Sequence, residues 1–310
     1  GCNMGRVNEE FIENSDASHQ EPEYIEHWRS LVVTDENRAA GLFDGEWYTH
    51  QYPAVINSGL DPFAHYVLYG HKQSCNPGPL FDNDFYIREY PDILSQGSVP
   101  LIHYLEFGRQ EGRYPNHHEL SAQKKRKNLR HTIVKELIFA PSDEVAILVS
   151  HSSTGRLKAH VLPYMSMLVN CGLSVLLVAV VDRPIELSDE EISIASGIIV
   201  RDNAGYDFGA WSHALSIMPE LYGSRMLILS NDSIIPTSNK ETFLSMLRRV
   251  RNSPADIVGL TSSHEYGWHI QSYFIAIKPK ALSSFGFQSF IRGIQLLSDK
   301  DEVIRTYEVP

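Results

Sequence analysis

The chain is poor in cysteine, in positive charge and in long apolar runs, and each shortage removes a class of function. Cys2, Cys75 and Cys171 are its three cysteines in 310 residues, and they show neither the paired spacing of a metal site nor the density of a disulfide framework. A reducing, cytoplasmic setting is the expectation. Lys and Arg number 27 against 38 Asp and Glu, a formal net charge of -11, so no nucleic-acid partner is expected, because phosphate recognition relies on a basic surface. The longest wholly apolar run, Val175 to Val181, is too short to span a bilayer, and the first thirty residues are too acidic for a secretory signal. Gly1 and Cys2 stand where an initiating Met would, and read as a fragment boundary. A P-loop lysine is missing, as is a G-x-G-x-x-G turn followed by an acidic residue about 20 positions later. Their absence disfavours an NAD-dependent enzyme.

What is present suits an ordinary globular protein: 43% hydrophobic and 21% charged residues, with length enough for about two domains. Lys124 to Lys127, KKRK, is the locally basic stretch. It reads as a solvated helix face or linker, with contact to anionic lipid at the inner membrane face as the alternative.

An internal repeat organises the first part of the chain. The 36 residues from Leu42 align without gaps to those from Leu80, with 12 identities. Each copy opens on an Asp, Asp44 or Asp82, reaches Tyr52-Pro53 or Tyr90-Pro91, and starts a second segment at Pro62 or Pro100. Proline suits a first helical turn, and Asp61 is placed to cap the free amides. Gly70 and Gly108 fit left-handed stops. Each copy therefore predicts a small helical hairpin, with His65 and His103 as structural histidines of a repeated aromatic core. The expected domains are an acidic N-terminal arm over 1–41 with one helix near Tyr24 to Val33, the two repeats over 42–118, a basic linker helix over 119–141, and an α/β domain over 142–310.

The last of these alternates short apolar runs with helical spacing. Val145 to Gly155 enters a polar turn, Leu157 to Cys171 is helical, Gly172 stops it, and Leu173 to Val181 is the next strand. Ile198 to Val200, a helix near Phe208 to Met218, and Met226 to Ser230 continue the pattern, with Ala255 to Thr261 and Gln271 to Ile277 adding two strands. Such short, continuously apolar segments suit buried parallel strands, and an open α/β sheet follows. Ligand groups in such sheets lie just past the strand ends. Asn203, Gly205 and Asp207 would occupy one carboxyl edge, and Asn231 and Asp232 its neighbour, with His151 in the same crevice. That pairing reads as a nucleotide-sugar site: Asp232 as ligand to a divalent metal, Mg or Mn, that neutralises the diphosphate, Asn231 orienting it or touching ribose, and Gly205 allowing close backbone approach. Asn-Asp-Ser is also a good local turn. His269 and Gln271 could bond donor or acceptor hydroxyls, or belong to an edge strand whose aromatics fill the core.

RDNAGYDFGAW, LILSNDS, DIVGLTSS and HIQSYF, in this order, resemble the rhamnan synthesis protein F family of bacterial glycosyltransferases, over about Glu144 to Val309. The first two blocks also resemble family 2 transferases of the GT-A fold. The 38-residue repeats are similar to modules of multidomain bacterial polysaccharide transferases. The resemblance implies a GT-A-like, open, mostly parallel sheet preceded by a small all-α tandem-repeat region. It implies a hexosyltransferase, inverting, moving rhamnose from a dTDP donor to a glycan or lipid-linked glycan acceptor of the cell surface. Asn203, Gly205 and Asp207 would meet the donor nucleotide and Asp232 the diphosphate metal, although Asn231-Asp232-Ser233 carries one carboxylate where D-x-D carries two. Tyr307-Glu308-Val309 resembles the acidic motif that opens a late helix, making Glu308 the general base, with a supporting helix expected beyond it. The competing expectation is a non-catalytic glycan-binding or scaffolding protein of polysaccharide assembly.

Overall fold

The computed structural model describes residues 22–95, 97–264 and 268–308; Cys2 and the first part of the acidic arm lie outside them. The chain forms two compact units that divide between Arg113 and Tyr114.

In the first unit the helix Glu23–Val32 stands as expected, and the two repeats are built alike. The helices Gly45–Gln51 and Asn83–Glu89 are capped by Asp44 and Asp82, whose carboxylates accept from the amides of Trp47 at 3.0 Å and Phe85 at 2.9 Å. The helix Pro62–Leu68 is capped by Asp61, while its counterpart Pro100–His103 has Val99 before it and no side-chain cap. Tyr48 bonds His65 and Tyr86 bonds His103, both at 3.0 Å. These histidines are therefore part of the aromatic packing, and burial lowers the pKa of each.

Gly70 and Gly108 correct one expectation. Neither has a positive φ; the left-handed positions that follow them are Ser74 and Gly112. Glycine is required at 70 and 108 because a Cβ there would lie 2.0 Å from the Tyr48 hydroxyl and 2.3 Å from that of Tyr86.

The second unit holds a seven-stranded sheet. Its strands are β1 (His131–Lys135), β2 (Glu144–Ser152), β3 (Ser174–Val181), β4 (Gly197–Asp202), β5 (Met226–Asn231), β6 (Ile257–Gly259) and β9 (Phe274–Ile277), with β7 (Ser262–Ser263) and β8 (His269–Ile270) forming a separate two-stranded ladder. The order is β1-β4-β3-β2-β5-β9-β6. β2 to β5 are parallel to one another, while β1, on one side, and β9, on the other, are antiparallel to their neighbours. The α/β sheet is thus open and mixed, with a parallel centre, as expected.

The linker helix is shorter than 119–141. It spans His117–Lys127, and β1 follows where helix was expected, pairing His131 to Arg201 through Lys135 to Ile198. The β-branched Thr132, Ile133 and Val134 favour extended backbone, and the Lys135 ammonium donates to the Ile192 and Ala195 carbonyls at 2.9 and 2.6 Å. Arg126 of the basic stretch is fully buried, donating to the Ile294 carbonyl at 2.8 Å, while Lys124, Lys125 and Lys127 are exposed.

Alternate residues of the strands serve two cores, as the period of two requires. Val145, Ile147 and Val149 face Phe208, Trp211 and Leu215 of the helix Tyr206–Ile217. Ala146 and Leu148 face the helices Val161–Asn170 and Lys240–Asn252 through Tyr164, Leu168, Phe243 and Leu247. Two-sided burial is why β2, β3 and β5 read as continuous apolar runs.

Candidate functional site

The chain crosses from β2 outward to β3 and β4, then returns to place β5 on the other side of β2. The carboxyl ends of β2 and β5 therefore form the switch point at which open α/β sheets bind ligands. Val149 pairs with Asn231, so Ser150, His151 and Ser152 emerge beside Asn231 and Asp232.

Asp232 is held by groups of the first strand and its loop. Its Oδ2 accepts from Ser150 Oγ at 2.8 Å and from the His151 amide at 3.2 Å, and its Oδ1 from Lys158 Nζ at 2.8 Å. His160 Nε2 meets its carbonyl at 2.7 Å. The carboxylate is 11% exposed and the Lys158 side chain 49%.

A second cluster lies at the ends of β2, β3 and β4. Asp182 Oδ2 lies 2.7 Å from His151 Nε2, and its Oδ1 accepts from Asn203 Nδ2 at 2.8 Å. The Asn203 and His151 hydrogen bonds hold the Asp182 carboxyl below its ordinary pKa. His151 joins the two clusters, its amide on Asp232 and its ring on Asp182.

Gly205, at φ +76°, precedes the helix Tyr206–Ile217, and a Cβ there would stand 2.8 Å from Leu296 Cδ2. The tight turn is what a glycine at 205 achieves. Arg201, fully buried, braces it by donating to the Ala204 carbonyl at 2.7 Å. Asp207 faces inward rather than toward Asn203: its Oδ2 accepts from Asn231 Nδ2 at 2.7 Å. Desolvation raises its pKa to about 6 despite that bond, with the Asp232 and Glu308 carboxylates adding to the rise.

Because β9 is antiparallel to β5, with Ser230 opposite Phe274, the residues before β9 arrive at the same edge. Ser272 Oγ donates to Glu308 Oε1 at 2.7 Å, and His269 Nε2 lies 3.6 Å from Glu308 Oε2, with side-chain exposures of 5% and 13% for His269 and Glu308. Glu308 ends the turn Ile304–Glu308 that follows the short helix Lys300–Val303. Its neighbour Tyr307 stacks on Phe208 with ring centroids 5.5 Å apart, and the Tyr307 hydroxyl accepts from the Gln295 amide at 2.7 Å. Gln271 is tied to Thr261, whose hydroxyl donates to Gln271 Oε1 at 2.6 Å, so that oxygen serves the β7–β8 ladder.

The candidate residues thus share one edge but divide into stations: Asn203 with the His151 ring, Asp207 with Asn231, Asp232 with the His151 amide, and Glu308 with His269. Three members were missed from the sequence. Asp182 follows an apolar run just as Asp232 does, and that strand-end position was the available signal. Ser150 and Lys158 carry no signal of their own, since their place depends on the β2–β5 pairing.

The second unit is an α/β protein with an open sheet whose polar stations gather at the carboxyl ends of β2 and β5. Residues 184–310 match the family model described as rhamnan synthesis protein F, so the C-terminal part of the chain carries the expected resemblance. The match starts later than Glu144. A protein of Sinorhizobium fredii described as uncharacterized, y4gN, is 31% identical over 179 residues, covering 54% of this chain. The chain spans 44% of that relative's length. No solved structure matches. Among the described residues, no helix is long and apolar enough to cross a membrane.

Proposed function

We propose that the second unit is a GT-A-like glycosyltransferase that moves a sugar, rhamnose from a dTDP donor, to a hydroxyl of a growing cell-surface glycan at the cytoplasmic side. The observation that carries the reading is the meeting of two enclosed carboxylates, Asp232 and Glu308, at one sheet edge. In this reading Asp232 serves the side of the leaving diphosphate and Glu308 the attacking hydroxyl. Asp182, ionised and flanked by the His151 and Asn203 side chains, suits a base that offers an N–H between two carbonyls, as thymine does.

In this reading the acceptor oxygen bonds the anomeric carbon while the bond from that carbon to the diphosphate oxygen breaks, its electron pair leaving on the diphosphate. The hydroxyl proton passes to Glu308, which His269 and Ser272 hold in place. Attack opposite the leaving group inverts the configuration. The family match and the switch-point geometry support transfer; the sugar and the base rest on the family resemblance.

The test is release of dTDP from dTDP-rhamnose in the presence of a lipid-linked or soluble rhamnan acceptor. Glu308→Gln keeps an oxygen for Ser272 and removes the base, so the rate should fall about 10²- to 10⁴-fold. An unchanged rate, with folding intact, would sink the assignment of Glu308. If no nucleotide binds at all, the scaffolding alternative takes over.

A further inference from the structure

The surroundings of Asp232 do not fit a divalent ion. Such an ion takes several oxygen ligands, yet Oδ2 already accepts two hydrogen bonds and Oδ1 faces an ammonium. Among the described residues, no group of three or more His, Cys, Asp and Glu could hold a metal ion. We propose that the Lys158 ammonium takes the place of the metal, making diphosphate binding at this edge metal-independent. The inference rests on the nucleotide-sugar reading of the same site.

Three observations carry it. First, Lys158 uses one N–H on Asp232, and an ammonium has three; half-exposed, it has two left for phosphate oxygens at the edge where a ligand would lie. Asp232 then acts as a positioning residue that aims the ammonium, rather than as a ligand.

Second, the loop that bears Lys158 is preformed. Ser152 Oγ donates to the Arg156 carbonyl at 2.6 Å and accepts from the Gly155 amide at 3.1 Å. Gly155, at φ +86°, lies so close to Pro184 that a Cβ would stand 2.9 Å from its carbonyl oxygen. The Glu186 amide donates to the Gly155 carbonyl at 2.9 Å. A held loop loses little freedom when a ligand arrives.

Third, the segment that carries Lys158 is basic within an acidic chain, its cations paired singly with Asp182, Glu186 and Asp232 from other segments. Between Glu144 and Asp182 there is no carboxylate, while Arg156, Lys158, His151 and His160 fall within it. In a chain of net charge -11, this is where a diphosphate meets cations. The ammonium would stabilise the charge that develops on the diphosphate as the sugar leaves, as a fixed cation does at a transferring phosphoryl group.

Calorimetric titration of dTDP into the 310-residue protein, in EDTA and again in Mn, tests the inference. The unaltered protein should bind with dissociation constants within about twofold of each other in the two buffers. Lys158→Ala should weaken binding at least tenfold in both, and Lys158→Arg should restore most of it, with circular dichroism confirming that each variant folds. Binding that strengthens tenfold or more with Mn, or that ignores the loss of Lys158, would overturn the inference and leave the nucleotide reading standing. Absence of binding in both buffers would overturn that reading, and the inference with it.

Discussion

At the residue scale, the protonation of Asp207 is the feature with the clearest consequence for pH. Its carboxyl titrates near 6 in the folded protein, above the value of an unfolded chain. Between about pH 4 and pH 6 the folded state holds a proton that the unfolded state has lost, so this group makes stability fall as pH rises through that window. Above it the penalty is constant, on the order of 3 kcal/mol. Asp207→Asn keeps an acceptor for the Asn231 amide and has no charge to desolvate. The variant should therefore gain about 1–2 kcal/mol at pH 7.5 and nothing at pH 4, read by urea denaturation at both; equal gains would contradict the raised pKa. A second residue prediction concerns Gly70 and Gly108. Gly70→Ala and Gly108→Ala should each cost about 1–3 kcal/mol by overpacking. Gly112→Ala, where φ is +73° and a Cβ meets nothing, should cost only about 1 kcal/mol of backbone strain. Thermal melts rank the three.

At the element scale, the two repeats offer an internal control. The Tyr48–His65 and Tyr86–His103 bonds have the same length and sequence separation, and a typical hydrogen bond contributes about 1 kcal/mol. Tyr48→Phe and Tyr86→Phe should then destabilise by similar amounts, about 1 kcal/mol each; a difference of several-fold would show that the aromatic packing, not the bond, sets the cost. The sequence made the elements unevenly legible. β2, β3 and β5 were readable because both faces of each strand are buried, leaving uninterrupted Val, Leu and Ile. β1 was not, since its residues are mostly exposed and follow a basic run with helical composition; only its pairing with β4 makes it a strand. The direction of β9 was also invisible, because this antiparallel strand is largely buried on both faces and so carries the same continuous apolar run as its parallel neighbours. Candidate residues at the ends of β2, β4 and β5 were legible with their strands, while Asp182 at the end of β3 was passed over. Lys158, carried by a loop and placed by a neighbouring strand, was beyond any local signal, and Gly70 was assigned its role wrongly because a missing Cβ and a positive φ both select glycine.

At the scale of the whole molecule, the second unit has its own sheet and a core on each face, the requirements for independent folding. A fragment over residues 114–310 should unfold in one cooperative transition by calorimetry and, on the proposed reading, bind dTDP. A fragment that melts without cooperativity would mean that the first unit contributes to folding. Near the unit boundary, Glu119 and Arg126 anchor the helix His117–Lys127 within the second unit: Glu119 Oε2 accepts from Arg292 Nε at 3.1 Å and Arg126 donates to the Ile294 carbonyl at 2.8 Å. A cut at 142, where the sequence alone starts the α/β domain, would remove both this helix and β1. Such a fragment should express poorly or aggregate, since it exposes the edge of β4.

The fit of each tyrosine hydroxyl against a glycine in the first unit reaches past this chain. Asp44, Tyr48, His65 and Gly70 recur as Asp82, Tyr86, His103 and Gly108, each letter fixed by a different physical demand: a cap, a phenol, its hydrogen-bond partner, and the space the phenol occupies. Tyr66 and Tyr104 recur as well, both buried in the aromatic core. These four letters at their common spacing form a search key. Another protein that carried it would declare the same module even where overall identity had decayed below recognition.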